Sequence, residues 1–280
     1  MKCLIVEGNI SDFSLCLVSE GRAKGTIEKY KRDISKFSKF MNGKPVTPQD
    51  ALGWREALFL TGYAPQTINS MLSALNRFFS FMGWQGYKVS HLRVQRKIFR
   101  EQERELDIFE YRRLLDASKK LGKNRLLLLM ETICSCGIRV SEVQAITVDA
   151  AQSGRAVIST KGKIRTILLP RKLCQKLQKY IKKNGIKSGP IFISKSGRSL
   201  SRHQIWAEMK AICTYAEVCP SKVFPHNLRH LFARTFYKAT HDIVQLADVL
   251  GHSRLETTRI YLISTGFDHA MQLEQLGLVR

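Results

Sequence analysis

Apolar side chains recur at three- and four-residue spacing along most of this chain, and the pattern breaks only in short stretches near and beyond its middle. In TIEKYKRDISKFSKFM (26–41) the apolar positions are Ile27, Tyr30, Ile34, Phe37 and Met41, while Lys29, Lys31, Arg32, Lys36 and Lys39 take other faces. Residues 65–84 repeat the spacing through Ile68, Leu72, Leu75 and Phe79, with Pro65 suited to a first helical position and Gly83 to a stop. That period belongs to amphipathic helices rather than to strands. Between the two, NGKPVTPQD (42–50) reads as a Gly/Pro-interrupted loop that caps a third helix over 48–60. The first hundred residues are therefore expected to form a small helical bundle with basic faces.

The segment HLRVQRKIFREQERELD (91–107) loses the apolar period and is dense in charge. It reads as a linker dividing the chain near residue 100, and 280 residues suffice for two domains. The expected division is 1–100 and 101–280, with a tail over 266–280. Asp107 and Glu110 stand in a capping-box relation at the next helix, and an apolar helix over 124–134 stops at Gly137. In RAVISTKGKIRTILLP (155–170) β-branched residues flank TKGK, which predicts a hairpin with Lys161–Gly162 at its turn. GPIFIS (189–194) reads as a short strand, and further helices are expected at 170–183, 201–217, 226–239, 242–250 and 254–263. The predicted fold class is mainly α with a small β-sheet (α+β).

Charge narrows the partners. The formal net charge is +23, with 16 basic against 7 acidic residues over 1–100 and 30 against 16 over 101–280. The excess is spread over both halves, which favours a polyanion bound with steep salt dependence. The seven cysteines include no CxxC pair, so reduced thiols are expected rather than a disulfide framework or a zinc site. The apolar run in MKCLIVEGNISDF is too short for a signal peptide, and no run of about 18 apolar residues occurs. A cytoplasmic, nucleoid-associated protein without membrane partners is the expectation.

The chemistry-bearing residues fall in order. Arg139 and Glu142 lie three apart, so the carboxylate can hold the guanidinium in one pose. Lys161 lies in the hairpin turn and Lys163 two residues on; strand alternation does not separate them. His226 and Arg229 form H-x-x-R at a helix start after Pro225, where both side chains and free backbone N–H groups can face one anion. His230 lacks an H-E-x-x-H context or a third ligand and is expected in the core. His252 follows Gly251 at a helix junction, and Tyr261 lies in RLETTRIYLIS. Taken singly, each has a plain structural explanation: a surface ion pair, a soluble turn lysine, a packed tyrosine. Their ordered combination is the signal.

Arg139 with Glu142, Lys161 on a hairpin, H226-x-x-R229, G251-H252 and Tyr261 resemble the signature set of the tyrosine recombinases, the phage-integrase and Xer-like site-specific recombinases. Asn227 departs from the pattern, standing where an aspartate is common. The resemblance covers nearly the whole chain, with 1–100 similar to a helical, SAM-like core-binding domain and 101–280 to the catalytic domain. It implies that Tyr261 attacks a DNA phosphate, forming a 3′-phosphotyrosyl enzyme and releasing a 5′-hydroxyl. Arg139 and Arg229 would clamp the phosphate, Lys161 would protonate the leaving oxygen, and His226 would assist proton transfer. His252 would donate a hydrogen bond to the phosphate, and Glu142 would order the arginine side. No metal, ATP or other cofactor is implied. The partner is double-stranded DNA, bound by a homotetramer across two sites from protomers that are monomeric or weakly associated when free. The tail, through Ala270, Leu273, Leu276 and Leu278, is expected to dock on a neighbouring protomer. Two other readings compete: relaxation by a type IB topoisomerase, and a catalytically silent DNA-architectural protein.

Overall fold

A computed structural model of the chain describes residues 3–94, 104–160, 163–194, 196–261 and 274–276, the side chains of Thr160 and Lys163 excepted. The chain divides into two compact units, Met1–Arg96 and Lys97–Arg280. In the first, α1 (Glu7–Ser19), α2 (Lys24–Met41), α3 (Pro48–Leu60) and α4 (Pro65–Phe81) close over an aromatic core. Phe37 meets Trp54 edge-on at 5.1 Å, and Phe13 meets Phe78 at 5.4 Å. Thr47 and Asp50 cap α3 reciprocally, and Pro48 and Pro65 open their helices where a missing N–H costs nothing. Helix α1 was not expected: its buried set, Ile10, Phe13 and Leu17, is short and interleaved with polar residues.

The second unit contains α5 (Ile108–Lys120), α6 (Asn124–Cys136), a 3₁₀ turn (Val140–Ala145) and α7 (Val148–Ser153). The hairpin β1 (Arg155–Thr160) and β2 (Lys163–Leu168) follows, antiparallel, with Ile158 opposite Arg165. After it come α8 (Arg171–Lys183), α9 (Arg202–Lys210), α10 (Cys213–Ala216), α11 (Pro225–Thr240), α12 (Ile243–Leu250) and α13 (Leu255–Arg259). The fold is mainly helical with this one two-stranded sheet among the described residues. None of the seven cysteines, all described, is in a disulfide. No helix among the described residues is long and apolar enough to cross a membrane.

Two expectations need correction. Residues 189–194 form no strand, only single bridges of Thr147 with Pro190 and Ile193 with Ser199; a proline cannot donate to a continuing ladder. The helix expected over 201–217 is broken between Lys210 and Cys213, and Glu217 ends it with φ +51°. The charge-dense 91–107 segment is anchored at both described ends. Asn69 exchanges two hydrogen bonds with the Leu92 backbone at 2.9 and 2.7 Å, and Arg234 donates to the Leu106 carbonyl at 2.6 Å. Residues 95–103, where the linker itself was expected, lie outside the described residues.

Candidate active site

The site is assembled where two helices stop. Helices α6 and α12 end at Gly137 and Gly251, both left-handed with φ of +62° and +65°. Such a cap turns the chain sharply and leaves terminal carbonyls pointing out of the helix end. Between those carbonyls lies Arg229 of α11, only 1 % exposed. Its Nη1 donates to the Gly137 carbonyl, and its Nη2 to the Leu250 carbonyl at 2.8 Å. The negative ends of two helix dipoles thus face a buried guanidinium, compensating part of its desolvation. Burial still lowers the Arg229 pKa below the ordinary arginine value, while the nearby Tyr261 hydroxyl works the other way.

His252 stands 2.9 Å from the same Nη2 through Nε2, and its Nδ1 lies 2.9 Å from the Thr258 hydroxyl. A guanidinium only donates, so Nε2 is the acceptor and the ring proton sits on Nδ1, donating to Thr258. Burial, then Arg229, Arg139, Arg165 and His226, push the His252 pKa down to about 4. In this arrangement the donation to a phosphate expected of His252 requires its contact with Arg229 to open.

Tyr261 follows α13 and is 3 % exposed, in a small cluster with Ala233, Leu246 and Leu250. Its ring is stacked on His252 at 5.8 Å, meets His230 edge-on at 4.6 Å, and lies 6.4 Å from His226. His230 is therefore not a simple core residue: it is only partly buried and packs on the tyrosine. His226 keeps an exposed edge; partial burial, then Arg229 and Arg139, lower its pKa.

Arg139 and Glu142 meet as expected, Nη1 to Oε1 at 3.1 Å, while the Arg139 backbone N–H donates to Oε2 at 2.7 Å. Glu142 is buried, and a second cation shares it: Arg165 Nη2 donates to Oε2 at 2.7 Å. Arg139, His226 and Arg229 line one cavity of about 690 Å³ with Arg202, His203 and Trp206. Lys161 lies outside the described residues; Lys163 opens β2, and its side chain is likewise not described. Asn227 explains its own departure. Its amide donates to the carbonyls of Arg104 and Lys222 at 2.8 and 2.7 Å, which an aspartate cannot do. The sequence reading missed Arg165, whose partners Glu142 and Val249 are distant in the chain. The tail falls outside the described residues except 274–276, where Leu276 is 60 % exposed.

Together, a covered tyrosine stacked on a histidine that meets a buried arginine, and a second arginine on the same cavity, form a cationic pocket beside a phenol. Residues 104–266 match the phage integrase family and residues 10–86 its N-terminal SAM-like domain. The chain belongs to the phage integrase family, the tyrosine recombinases, enzymes of site-specific DNA recombination. It is 30 % identical over 260 residues to the tyrosine recombinase XerA of Pyrococcus furiosus, covering 90 % of this chain and 88 % of that one. Among solved structures it is similar in fold to XerH bound to its difH substrate before cleavage (TM-score 0.69, 19 % identity, 96 % of this chain and 89 % of that one). It is also similar to a lambda integrase tetramer bound to a Holliday junction (TM-score 0.70, 19 % identity, 91 % and 76 %).

Proposed function

We propose that this chain cuts and rejoins DNA at a defined site through a covalent 3′-phosphotyrosyl bond on Tyr261, without metal or ATP. The observation that carries the reading is the stacking of the Tyr261 ring on His252, whose Nε2 lies 2.9 Å from Arg229 Nη2, with Arg229 on the same cavity as Arg139 and His226. A free phenol has a pKa near 10 and needs cationic surroundings or a base to attack at neutral pH. Two arginines supply the charge that a metal otherwise brings, binding the non-bridging oxygens more strongly as charge develops. His226, its pKa lowered, is neutral at pH 7 and can accept the phenolic proton. Lys161, or Lys163 in its place, protonates the departing 5′ oxygen. Because Tyr261 is nearly covered, attack also requires what lies over the ring to open.

The assembly we infer is a homotetramer across two duplexes, in the cytoplasm, formed by protomers that associate weakly without DNA and exchange the tail from 266 onward. The lambda integrase tetramer on a junction supports that assembly by analogy. The test begins with binding selection from a random duplex library to obtain the preferred site. A nicked suicide form of that site is then incubated with the full chain in excess chelator, without nucleotide. A covalent adduct that disappears in Tyr261→Phe supports the reading. A Tyr261→Phe protein that still forms the adduct, or one that needs added metal, refutes it. Relaxation of plasmid supercoils without exchange between two sites would favour the topoisomerase reading, and tight binding with no adduct the architectural one.

A further inference from the structure

We propose that Arg165 is a positioning residue that ties the β1–β2 hairpin, and the proton donor it carries, to the phosphate clamp. Arg165 lies on β2, opposite Ile158 and two residues from the start of the strand. Its guanidinium reaches both halves of the site. Nη2 donates to Glu142 Oε2 at 2.7 Å, and Glu142 Oε1 holds Arg139; Nη1 donates to the Val249 carbonyl at 2.6 Å, at the end of α12. The side chain also lies flat against Gly251. A Cβ built there would stand 2.5 Å from Arg165 Cδ and 2.7 Å from Nε, distances that atoms do not adopt.

The glycine before His252 thus has a second duty beyond its positive φ: it makes room for Arg165. A two-stranded hairpin is marginally stable by itself; here Ala156, Ile158 and Ile167 seat one face on the core, and Arg165 ties the strand to the site. Among the described residues Arg165 is the hairpin side chain that joins Glu142 and the Val249 carbonyl. It is far less exposed than Arg139, with 18 % against 41 % of the side chain accessible. A planar fork that donates to a carboxylate and a carbonyl at once fixes direction as well as distance, which lysine cannot reproduce.

The inference rests on the reading that a hairpin lysine protonates the leaving oxygen. In that step the Tyr261 Oη–P bond forms, the P–O5′ bond breaks, and the departing oxygen takes a proton from the ammonium. If sulfur replaces the bridging 5′ oxygen, it leaves as a thiolate and needs no proton. Single-turnover cleavage is therefore measured for wild type, Arg165→Ala, Arg165→Lys, Lys161→Ala and Lys163→Ala on paired oxygen and sulfur suicide substrates, with DNA affinity measured alongside. Arg165→Ala is expected to lose about 100-fold or more in cleavage of the oxygen substrate, the usual contribution of general acid catalysis, with DNA affinity nearly unchanged. It should approach wild type on the sulfur substrate.

Rescue also establishes that the variant is folded. A defect that persists on the sulfur substrate, or no defect at all, overturns the proposal. If a lysine variant is rescued while Arg165→Ala is not, the lysine assignment stands and the positioning role of Arg165 fails; if neither lysine variant is rescued, the lysine assignment itself fails.

Discussion

Replacing His252 by glutamine tests the charge state of the site. His252 ordinarily titrates near 6.5, and burial beside Arg229, Arg139 and Arg165 brings it to about 4 in the folded protein. A histidine whose folded pKa lies below its unfolded value takes up protons preferentially when unfolded. Its contribution to stability is therefore complete above about pH 6.5 and is lost as pH falls toward 4. Between about pH 7.5 and about pH 5, these two values correspond to about 2 kcal/mol. The ring is only partly buried, so solvent screening brings the expected effect to about 1 kcal/mol. His226 shifts in the same direction and remains in both proteins, so the difference between them isolates His252. Urea unfolding of the full chain at the two pH values should show wild type losing about 1 kcal/mol more than His252→Gln. Nitrogen NMR should find the neutral ring protonated on Nδ1. Equal pH dependence in the two proteins, or an imidazole titrating near 6.5, would refute the assignment. A bound DNA phosphate adds negative charge among these cations and should raise the His252 pKa from its free-protein value.

Two further outcomes follow from the geometry. Gly137→Ala places a Cβ 2.4 Å from the Phe232 ring at a residue with φ +62°. The strain and overpacking should cost about 2–3 kcal/mol, roughly 5–10 °C in the unfolding midpoint of the second unit, measured by calorimetry. An unchanged midpoint would contradict the close contact. DNA affinity should fall steeply with salt: contact with about six phosphates gives a slope near −5 in log K against log salt concentration. A nearly flat plot would remove the electrostatic basis for binding.

The sequence carried the order of the site residues but not the way they are held. The helical period located α2 and α4 because each buries one continuous stripe, as with Ile34, Phe37 and Met41, while α3 was placed by the Gly/Pro-interrupted loop that caps it. It passed over α1, whose stripe is three residues long. Residues 189–194 failed for a different reason: β-branched content signals a strand only where a neighbour supplies a ladder, and here Pro190 and Ile193 each find a single bridge. Arg139 and Glu142 were legible because a spacing of three is local. Arg165 was not, because its partners lie 23 and 84 residues away and no local pattern encodes them. His230 was read as a core residue, yet its place against Tyr261 depends on where α13 ends, which is a tertiary fact.

The two glycines show how far a local reading can go and where it stops. Gly137 and Gly251 both read as helix stops, and both are left-handed caps. What the sequence could not convey is that the two stops converge on one arginine. Arg229 is too deeply buried to be held by water, and a buried cation needs acceptors of fixed position. Carbonyls at helix C-termini are such acceptors, since they lack intrahelical partners and carry the negative end of the dipole. Each glycine turns its helix away and leaves a carbonyl aimed at the guanidinium. Moving either cap would then shift Arg229, and with it His252 and the tyrosine stacked on that histidine. Reading Gly251 only as a place where a helix ends misses the constraint that matters more: a side chain there would collide with Arg165 on the hairpin. The same residue therefore couples the arginine that meets His252 to the strand that leads to the candidate proton donor.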